Sequence, residues 1–227
     1  MSERGMIFNG EMVRAILDGR KTQTRRPIKW KQTRFTEIGE REDGSKWPWS
    51  EDAEHACDFW HPCPFGAVGD RIWVRETFTG HYLDDDQIQD IKDGRDKASS
   101  LCEYRADYPD GYQAADGWTP SIHMPRWASR ILLEITNVRV ERLNAISPED
   151  AESEGLERTN FTGFGDEPGL PSYPEPDVYF DPLKKQWKEY PPEAFAGLWE
   201  SIYGEGSWQA NPWVWVIEFK RVEGGAA

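Results

Sequence analysis

The most constraining feature of the sequence is a strand signal that extends from Trp127 to Leu143. Aliphatic and β-branched residues recur there at nearly every second position, which predicts one long strand or two adjoining strands. Pro212 to Val222 repeats the pattern with one heavily aromatic face, and Lys21 to Arg26 and Arg71 to Phe78 predict two shorter strands. The apolar positions of the long signal are Ile131, Leu133, Ile135, Val138 and Val140.

Three short helices are predicted around these strands. Glu11 to Asp18 has apolar residues at helical spacing, with Asn9 as the N-cap and Gly19 as the stop. Ser147 to Glu154 begins with a capping serine, a proline and two acidic residues, and Glu193 to Tyr203 again shows helical spacing. The elements do not alternate as regular βαβ units. We therefore expect an α+β fold built on a small β-barrel with short flanking helices.

Three polar segments interrupt this pattern, near residues 31 to 62, 80 to 122 and 158 to 191. They are rich in acidic residues, glycine or proline and show no sustained periodicity, although a short helix is predicted near Gln87 to Ile91. We interpret the three segments as long loop insertions. The whole chain, residues 1–227, is then a single domain.

The charge balance restricts the partners of this chain. It has 27 Lys and Arg against 41 Asp and Glu, a net charge of −14, which disfavours a long groove that tracks nucleic-acid phosphates. The mean hydropathy of −0.79 would suggest disorder, but 13% aromatic residues are enough to form a core. One local basic zone exists, since nine cations between residues 4 and 34 face only Glu11 and Asp18.

The cellular location is predicted from what the sequence lacks. No window approaches the roughly 18 consecutive apolar residues of a membrane span, and the N-terminal residues have no apolar signal region, so no membrane partner is expected. Three cysteines are too few to staple a chain of this size and suit a reducing compartment. We expect a cytoplasmic monomer with free thiols.

One arrangement could supply four soft ligands to a metal. His55 and Cys57 are separated by one residue, as are His61 and Cys63. Structural zinc sites usually space paired ligands further apart than this gap of a single residue. No metal and no other cofactor is therefore expected, and zinc at these four residues stays an open alternative.

The basic zone contains a spaced set of residues that could carry chemistry, Gly19-x-Lys21-x-x-Thr24-x-Arg26. One interpretation is a solvated basic strand that follows a helix end. The other is a site in which Lys21 and Arg26 contact an anion or a base and Lys21 deprotonates the Thr24 hydroxyl. Because Lys21 and Thr24 would face opposite ways on an ideal strand, the second interpretation requires Lys21 to lie in the preceding turn.

The run Ile16 to Arg26 resembles the G-x-K-x-x-x-x-R signature of the ASCH domain family, a member of the PUA-like superfamily of RNA-associated β-barrels. Three further segments resemble the family and follow in the family's order. Together with Ile16 to Arg26 they cover about half of the chain. They are Gly69 to Val74, the strand and helix from Leu133 to Leu156, and Val216 to Lys220. The segment His123 to Arg130 is similar to larger ASCH proteins of phages and prophages, while the three insertions are unexplained by the resemblance.

The resemblance implies a hydrolase site. Small bacterial ASCH proteins include an amidohydrolase that removes the acetyl group of N4-acetylcytidine with a Lys, a Thr three residues later and a Glu in the helix after the central strand. Here Lys21, Thr24 and Glu154 match these positions, with Glu152 as the reserve for the carboxylate. Thr24 would be the nucleophile, Lys21 its base, and Glu154 would orient the reactants or shuttle protons. Each of these residues also has a purely structural alternative.

The expected ligand is a nucleoside or nucleotide, with short single-stranded RNA as an alternative. Arg26, together with Arg126, would bind it, and Trp73 or Trp127 would offer a face for base stacking, although core packing is the more frequent role of a tryptophan. Two other functions stay open on the sequence alone. One is a non-catalytic RNA- or nucleotide-binding phage protein, and the other is a ribonuclease, because some ASCH proteins are reported to cleave RNA.

Overall fold

A computed structural model describes residues 1–29, 37–52, 57–80, 82–159 and 178–222 of the chain. The strands are β1 (Glu3–Ile7), β2 (Gln23–Pro27), β3 (Glu37–Glu40), β4 (Lys46–Asp52), β5 (Cys57–Trp60), β6 (Arg71–Arg75), β7 (Phe78–Thr79), β8 (Glu103–Tyr104), β9 (Leu132–Arg142), β10 (Arg158–Thr159), β11 (Val178–Asp181), β12 (Gln186–Lys188) and β13 (Trp213–Arg221). The helices are α1 (Gly10–Leu17), α2 (Asp85–Lys92), α3 (Ala98–Leu101), α4 (Pro148–Ser153) and α5 (Pro191–Tyr203). The predicted α+β class is confirmed.

The largest sheet has five strands in the order β1-β6-β9-β13-β2. β1 runs parallel to β6, and the other neighbouring pairs are antiparallel. β9 begins at Leu132 and not at the predicted Trp127, because Arg126 to Ala128 form a 3₁₀ turn behind Pro125. The four predicted strand signals thus contribute the inner strands and one outer strand of this sheet, and β1 adds the other outer strand.

The sheet curves until its two outer strands lie within side-chain reach of each other. The Arg26 guanidinium on β2 donates a hydrogen bond of 2.7 Å to the carbonyl oxygen of Ile7 on β1. In a flat five-stranded sheet these strands would lie about 19 Å apart, which an arginine cannot span. No backbone ladder joins them, however, and in the part of the chain that the structure describes the sheets are not closed into the predicted barrel.

Both faces of this sheet are buried, as alternation along β13 shows. Trp215 and Ile217 belong to a core cluster that includes residues of α1, β1, β6 and β9. Val214 and Val216 point the other way and pack in a second cluster with residues of α4 and α5. α1 and α5 therefore cover opposite faces of one sheet.

The predicted insertions contain small structures of their own. β3, β4 and β5 form an antiparallel sheet within the first, and β10, β11 and β12 form another at the third. The second carries α2, which confirms the short helix predicted near Gln87 to Ile91. It also carries β8, which pairs with β7 directly before the insertion, around a third core cluster. Among the helices in the described ranges, none is both long and apolar enough to cross a membrane.

Candidate functional site

Lys21 lies between α1 and β2 and not within the strand. Asn9 caps α1 by accepting a hydrogen bond from the Met12 amide, and Gly19 reverses the chain behind the helix with a φ of +77°. The Lys21 amide then donates to the carbonyl oxygen of Ala15 at 3.0 Å. This placement meets the condition under which Lys21 and Thr24 can serve one site.

Glu154 reaches the same place from the other end of the sequence. Ser147 caps α4 at its start, and Glu154 is the C-cap residue, directly before Gly155. Gly155 has a φ of +90°, and a Cβ atom there would lie 2.8 Å from the Cβ of Lys21. A glycine at this position is therefore what allows the end of α4 to approach Lys21 so closely.

The two side chains form a buried ion pair with a third member. Lys21 Nζ donates to Glu154 Oε2 and to the Glu154 carbonyl oxygen, at 2.8 Å each. Arg25 Nη1 donates to the other carboxylate oxygen, Oε1, at 3.1 Å. The side chains of Lys21 and Arg25 are 0% exposed and that of Glu154 is 2% exposed, so water screens none of these contacts.

Burial dominates the protonation of Lys21. Loss of hydration lowers the pKa of its ammonium group below the usual 10.5, even though the Glu154 carboxylate acts in the opposite direction. The nearby Arg26 and Arg25 guanidinium groups lower this pKa further. Lys21 is thus shifted toward the neutral amine, the form that can accept a proton.

Arg25 extends this cluster toward solvent. Its Nη2 atom donates to Asp150 at 2.8 Å and to Glu141 at 3.2 Å, and Arg139 contacts both of these carboxylates. Two arginines, on the strands β2 and β9 that flank β13, therefore share two carboxylates that are about a quarter exposed. Asp150 has a lowered pKa, because the hydrogen bonds and charges of Arg25 and Arg139 outweigh its partial burial.

A small cavity of about 10 Å³ adjoins the buried ion pair. Its walls are Met12, Thr24, Arg25, Arg26, Glu154, Phe195, Leu198, Trp199, Ile202 and Tyr203. Thr24 and Glu154 are both among these lining residues, and Lys21 is not. The volume is about that of one water molecule. The C-terminal half of α5 closes the cavity on one side.

Arg26 lies at the junction of this cavity with a much larger groove. Its guanidinium donates to Ile7 O and stacks 5.3 Å from the ring centroid of Phe8. Arg26 and Tyr203 line both the small cavity and the groove, whose volume is about 990 Å³. Of the four predicted substrate-binding residues, Arg26 is the one that the structure brings to Thr24 and Glu154.

The structure places the other three predicted binding residues elsewhere. Trp73 lies on β6, three strands away from β2 in the order of the sheet. Arg126 Nε donates to a carboxylate oxygen of Glu3 at 2.9 Å, at the start of β1. Trp127 packs half-buried against the third core cluster. None of them joins the cluster around Lys21.

His55 of the zinc alternative lies outside the described ranges, as do Lys31 of the basic zone and the C-terminal residues 223–227. Of the two cysteines in the zinc alternative, Cys57 is exposed on β5 and Cys63 is buried. Burial raises the pKa of the Cys63 thiol to about 11. Among the described residues, no group of three or more His, Cys, Asp or Glu side chains could hold a metal ion.

Two features of this site were not predicted from the sequence. Arg25 holds the second oxygen of Glu154, and α5 closes the cavity with Ile202 and Tyr203. A faint signal for Arg25 existed, because a charged residue between Thr24 and Arg26 points to the opposite face of a strand and must find a partner if that face is buried. Nothing local in the sequence indicates which surface α5 covers.

Comparison of the chain with models of protein families, with curated proteins and with solved structures finds no match.

Proposed function

We propose that this chain recognises a modified nucleoside or nucleotide and hydrolyses the N4-acyl amide of acetylated cytidine, as an ASCH-like protein of the cytoplasm. The supporting observation is the 2.8 Å contact between Lys21 and the buried Glu154, a residue that lines one cavity together with Thr24. A hydroxyl, a carboxylate and an amine with lowered pKa are the groups that acyl transfer through a threonine requires. The curvature of the five-stranded sheet supports the PUA-like part of the proposal.

The proposed reaction has two steps. Thr24 Oγ1 attacks the acyl carbon in those molecules whose Lys21 amine is neutral, and the Thr24 proton passes through Glu154 to that amine. The bond between the acyl carbon and N4 then breaks, and N4 takes the proton back from Lys21 by the same route, which releases cytidine. In the second step a water molecule attacks the acyl-threonine ester and gives one proton to the Glu154–Lys21 pair. The bond between the acyl carbon and Thr24 Oγ1 then breaks, Thr24 takes the proton back from the pair, and the free acid is released.

Arg25 has a defined role in this scheme. A carboxylate paired only with Lys21 would hold that lysine in its charged form, which cannot accept a proton. Because Arg25 also binds Glu154, the carboxylate keeps a permanent cationic partner when Lys21 is neutral. We infer that Arg25 positions Glu154 and supports the basicity of Lys21 without contacting substrate.

Substrate access requires a movement near the end of α5. A cavity of about 10 Å³ does not admit a nucleoside, and Ile202 and Tyr203 are two of its lining residues. Both side chains are about 40% exposed and lie in the last turn of α5, where fraying costs little. In our proposal the nucleoside lies in the adjoining groove and its acyl group displaces Tyr203.

The experiment follows conversion of N4-acetylcytidine to cytidine by chromatography. Thr24→Ala and Lys21→Met should each abolish product, and Glu154→Gln should lower the rate by at least about 100-fold. Thr22→Ala is the matched control for Thr24, since Thr22 is exposed and two residues away. Glu152→Gln tests the reserve carboxylate, which instead accepts a hydrogen bond from the Tyr179 hydroxyl. Product formation that survives Thr24→Ala refutes the threonine mechanism.

A second candidate function is non-catalytic binding of a nucleotide or RNA. The observation that favours it is the size difference between the closed cavity and the open groove of about 990 Å³. A pure binder should be insensitive to Thr24→Ala and should weaken when Arg26 is replaced. A ribonuclease would release shorter strands without removing the acetyl group, which gel analysis of a labelled RNA distinguishes.

A further inference from the structure

The large groove lies between the two outer strands of the curved sheet. β1 contributes Arg4 to Ile7 to one wall, and β2 with the residues behind it contributes Arg26 to Lys29 to the other. Phe65, from the segment before β6, and Tyr203 of α5 also line the groove. At about 990 Å³ the groove is at the upper end of the size range of small-molecule sites.

Four cations line this groove, Arg4, Arg26, Lys29 and Arg75, and no Asp or Glu does so among the described residues. Within the described ranges none of the four forms an ion pair with a carboxylate. In a chain with a net charge of −14, four cations without acidic partners along one groove create a local positive potential.

Backbone carbonyl groups of three different segments hold the three guanidinium groups of the groove. Arg4 donates to the Pro64 carbonyl at 2.7 Å, Arg26 to that of Ile7, and Arg75 Nε to that of Ser121 at 3.1 Å. A carbonyl fixes the position of each group but neutralises none of its charge. The cations are therefore distributed along both walls, an arrangement that suits several anionic groups in succession.

We propose that this groove binds a short single-stranded oligonucleotide, with its phosphates on the four cations and one base at the junction formed by Arg26 and Tyr203. A cationic groove with aromatic side chains is the common design for single strands, and Phe65 and Tyr203 supply ring surface here. The assignment of the base at the junction rests on the proposed function. The hydrolase would then act on an acetylated cytosine within a strand as well as on the free nucleoside.

Two other occupants fit these features less well. A mononucleotide brings one phosphate site and would leave most of the separated cations unpaired. An acidic peptide could pair with the outer edge of β1, but the Arg26 guanidinium already occupies the Ile7 carbonyl on that edge. Guanidinium groups also match phosphate geometry through paired hydrogen bonds.

The binding test uses fluorescence anisotropy of a labelled single-stranded hexanucleotide with the full chain between 50 and 200 mM salt. If all four cations contact phosphates, the logarithm of affinity should fall with a slope near −2.8 per logarithm of salt, or about 50-fold over this range. Neutralising two groove cations in Arg4→Gln/Lys29→Gln should reduce the slope to about −1.4, so that affinity falls only about sevenfold over the same salt range. Thermal melting checks that the double variant is folded.

The matched control is Lys92→Gln/Lys97→Gln, which removes the same charge from exposed residues near α2 outside the groove. It should retain the slope and affinity of the unaltered protein. Absence of hexanucleotide binding at 50 mM salt overturns the proposal, as does equal weakening by both double variants. Equal affinity for cytidine monophosphate and the hexanucleotide, or for an acidic hexapeptide and the hexanucleotide, also overturns it.

The outcome can be separated from that of the proposed reaction. Lys21→Met and Thr24→Ala should bind the hexanucleotide as the unaltered protein does, because neither side chain lines the groove. Salt-dependent binding that is lost in Arg4→Gln/Lys29→Gln, without release of acetate from an acetylated hexanucleotide, supports the groove and refutes the hydrolase. Release of cytidine from N4-acetylcytidine without hexanucleotide binding supports the hydrolase and refutes the groove.

Discussion

Removal of the Glu154 charge should destabilise the protein far more than removal of the Lys21 charge. The buried cluster contains two cations and one carboxylate, and Glu154→Gln leaves both cations without their shared partner. Breaking a buried pair in this way costs about 3–5 kcal/mol of unfolding free energy. Lys21→Met instead leaves the Arg25–Glu154 pair intact and removes a buried ammonium group. We expect it to cost no more than about 1.5 kcal/mol, since the lost hydrogen bonds are offset by the avoided desolvation.

Urea unfolding at pH 7, followed by tryptophan fluorescence, measures this difference. With a slope of about 3 kcal/mol per molar urea, Glu154→Gln should lower the midpoint by about 1–1.7 M and Lys21→Met by at most about 0.5 M. Glu152→Gln serves as the control, because Glu152 is on the same helix but only half-buried. Equal losses in Glu154→Gln and Lys21→Met would refute the role assigned to Arg25 as the permanent partner of Glu154.

Three further predictions concern backbone fit and pH. Gly155→Ala should lower the melting temperature clearly more than Gly111→Ala, since both glycines have a φ near +90° but only at Gly155 would the new methyl group meet neighbours, at 2.8 Å. The pKa of Lys21 in the folded protein lies below 10.5, so the unfolded chain binds more protons at this residue. The unfolding free energy should therefore rise as pH increases toward 10.5. Chemical denaturation at a series of pH values should show this rise in the unaltered protein and not in Lys21→Met. The hydrogen bonds from the amides of Ser2 and Ala67 lower the pKa of Asp70 to about 2, so an NMR titration should show this carboxyl ionised at pH 3, and the stability it contributes should be lost as pH falls from about 4 through 2.

Much of the secondary structure follows from local patterns in the sequence. The cap at Asn9 and the stop at Gly19 bound α1 within one residue, and the alternation of Pro212 to Val222 corresponds to β13. These signals are reliable because a cap satisfies amides a few residues away and a period of two reports burial of a strand face. Local patterns do not predict the strands of the first insertion, because a strand without a buried face has no period of two. β3 and β5 are largely exposed and carry little alternation.

The candidate site shows where local patterns stop being informative. Spacing alone suggests Lys21 and Thr24, and the two residues can share a site only if Lys21 lies outside the strand. The contact with Glu154 joins residues 133 positions apart and depends on the close approach that Gly155 allows. The sequence contained no measure of that distance, so only a resemblance proposed Glu154, and the pairing of Arg25 was not proposed at all.

The sequence by itself determined the helices α1, α2, α4 and α5, the inner strands and the presence of a basic zone in an acidic chain. It did so because capping, periodicity and charge are properties of neighbouring residues. The tertiary structure alone decided that the sheet curves until Arg26 reaches Ile7, that four cations from separate segments line one groove, and that Arg126, Trp73 and Trp127 lie apart from Lys21. These outcomes depend on strand order and on the packing of helices on both faces, which are set by contacts between residues far apart in the chain.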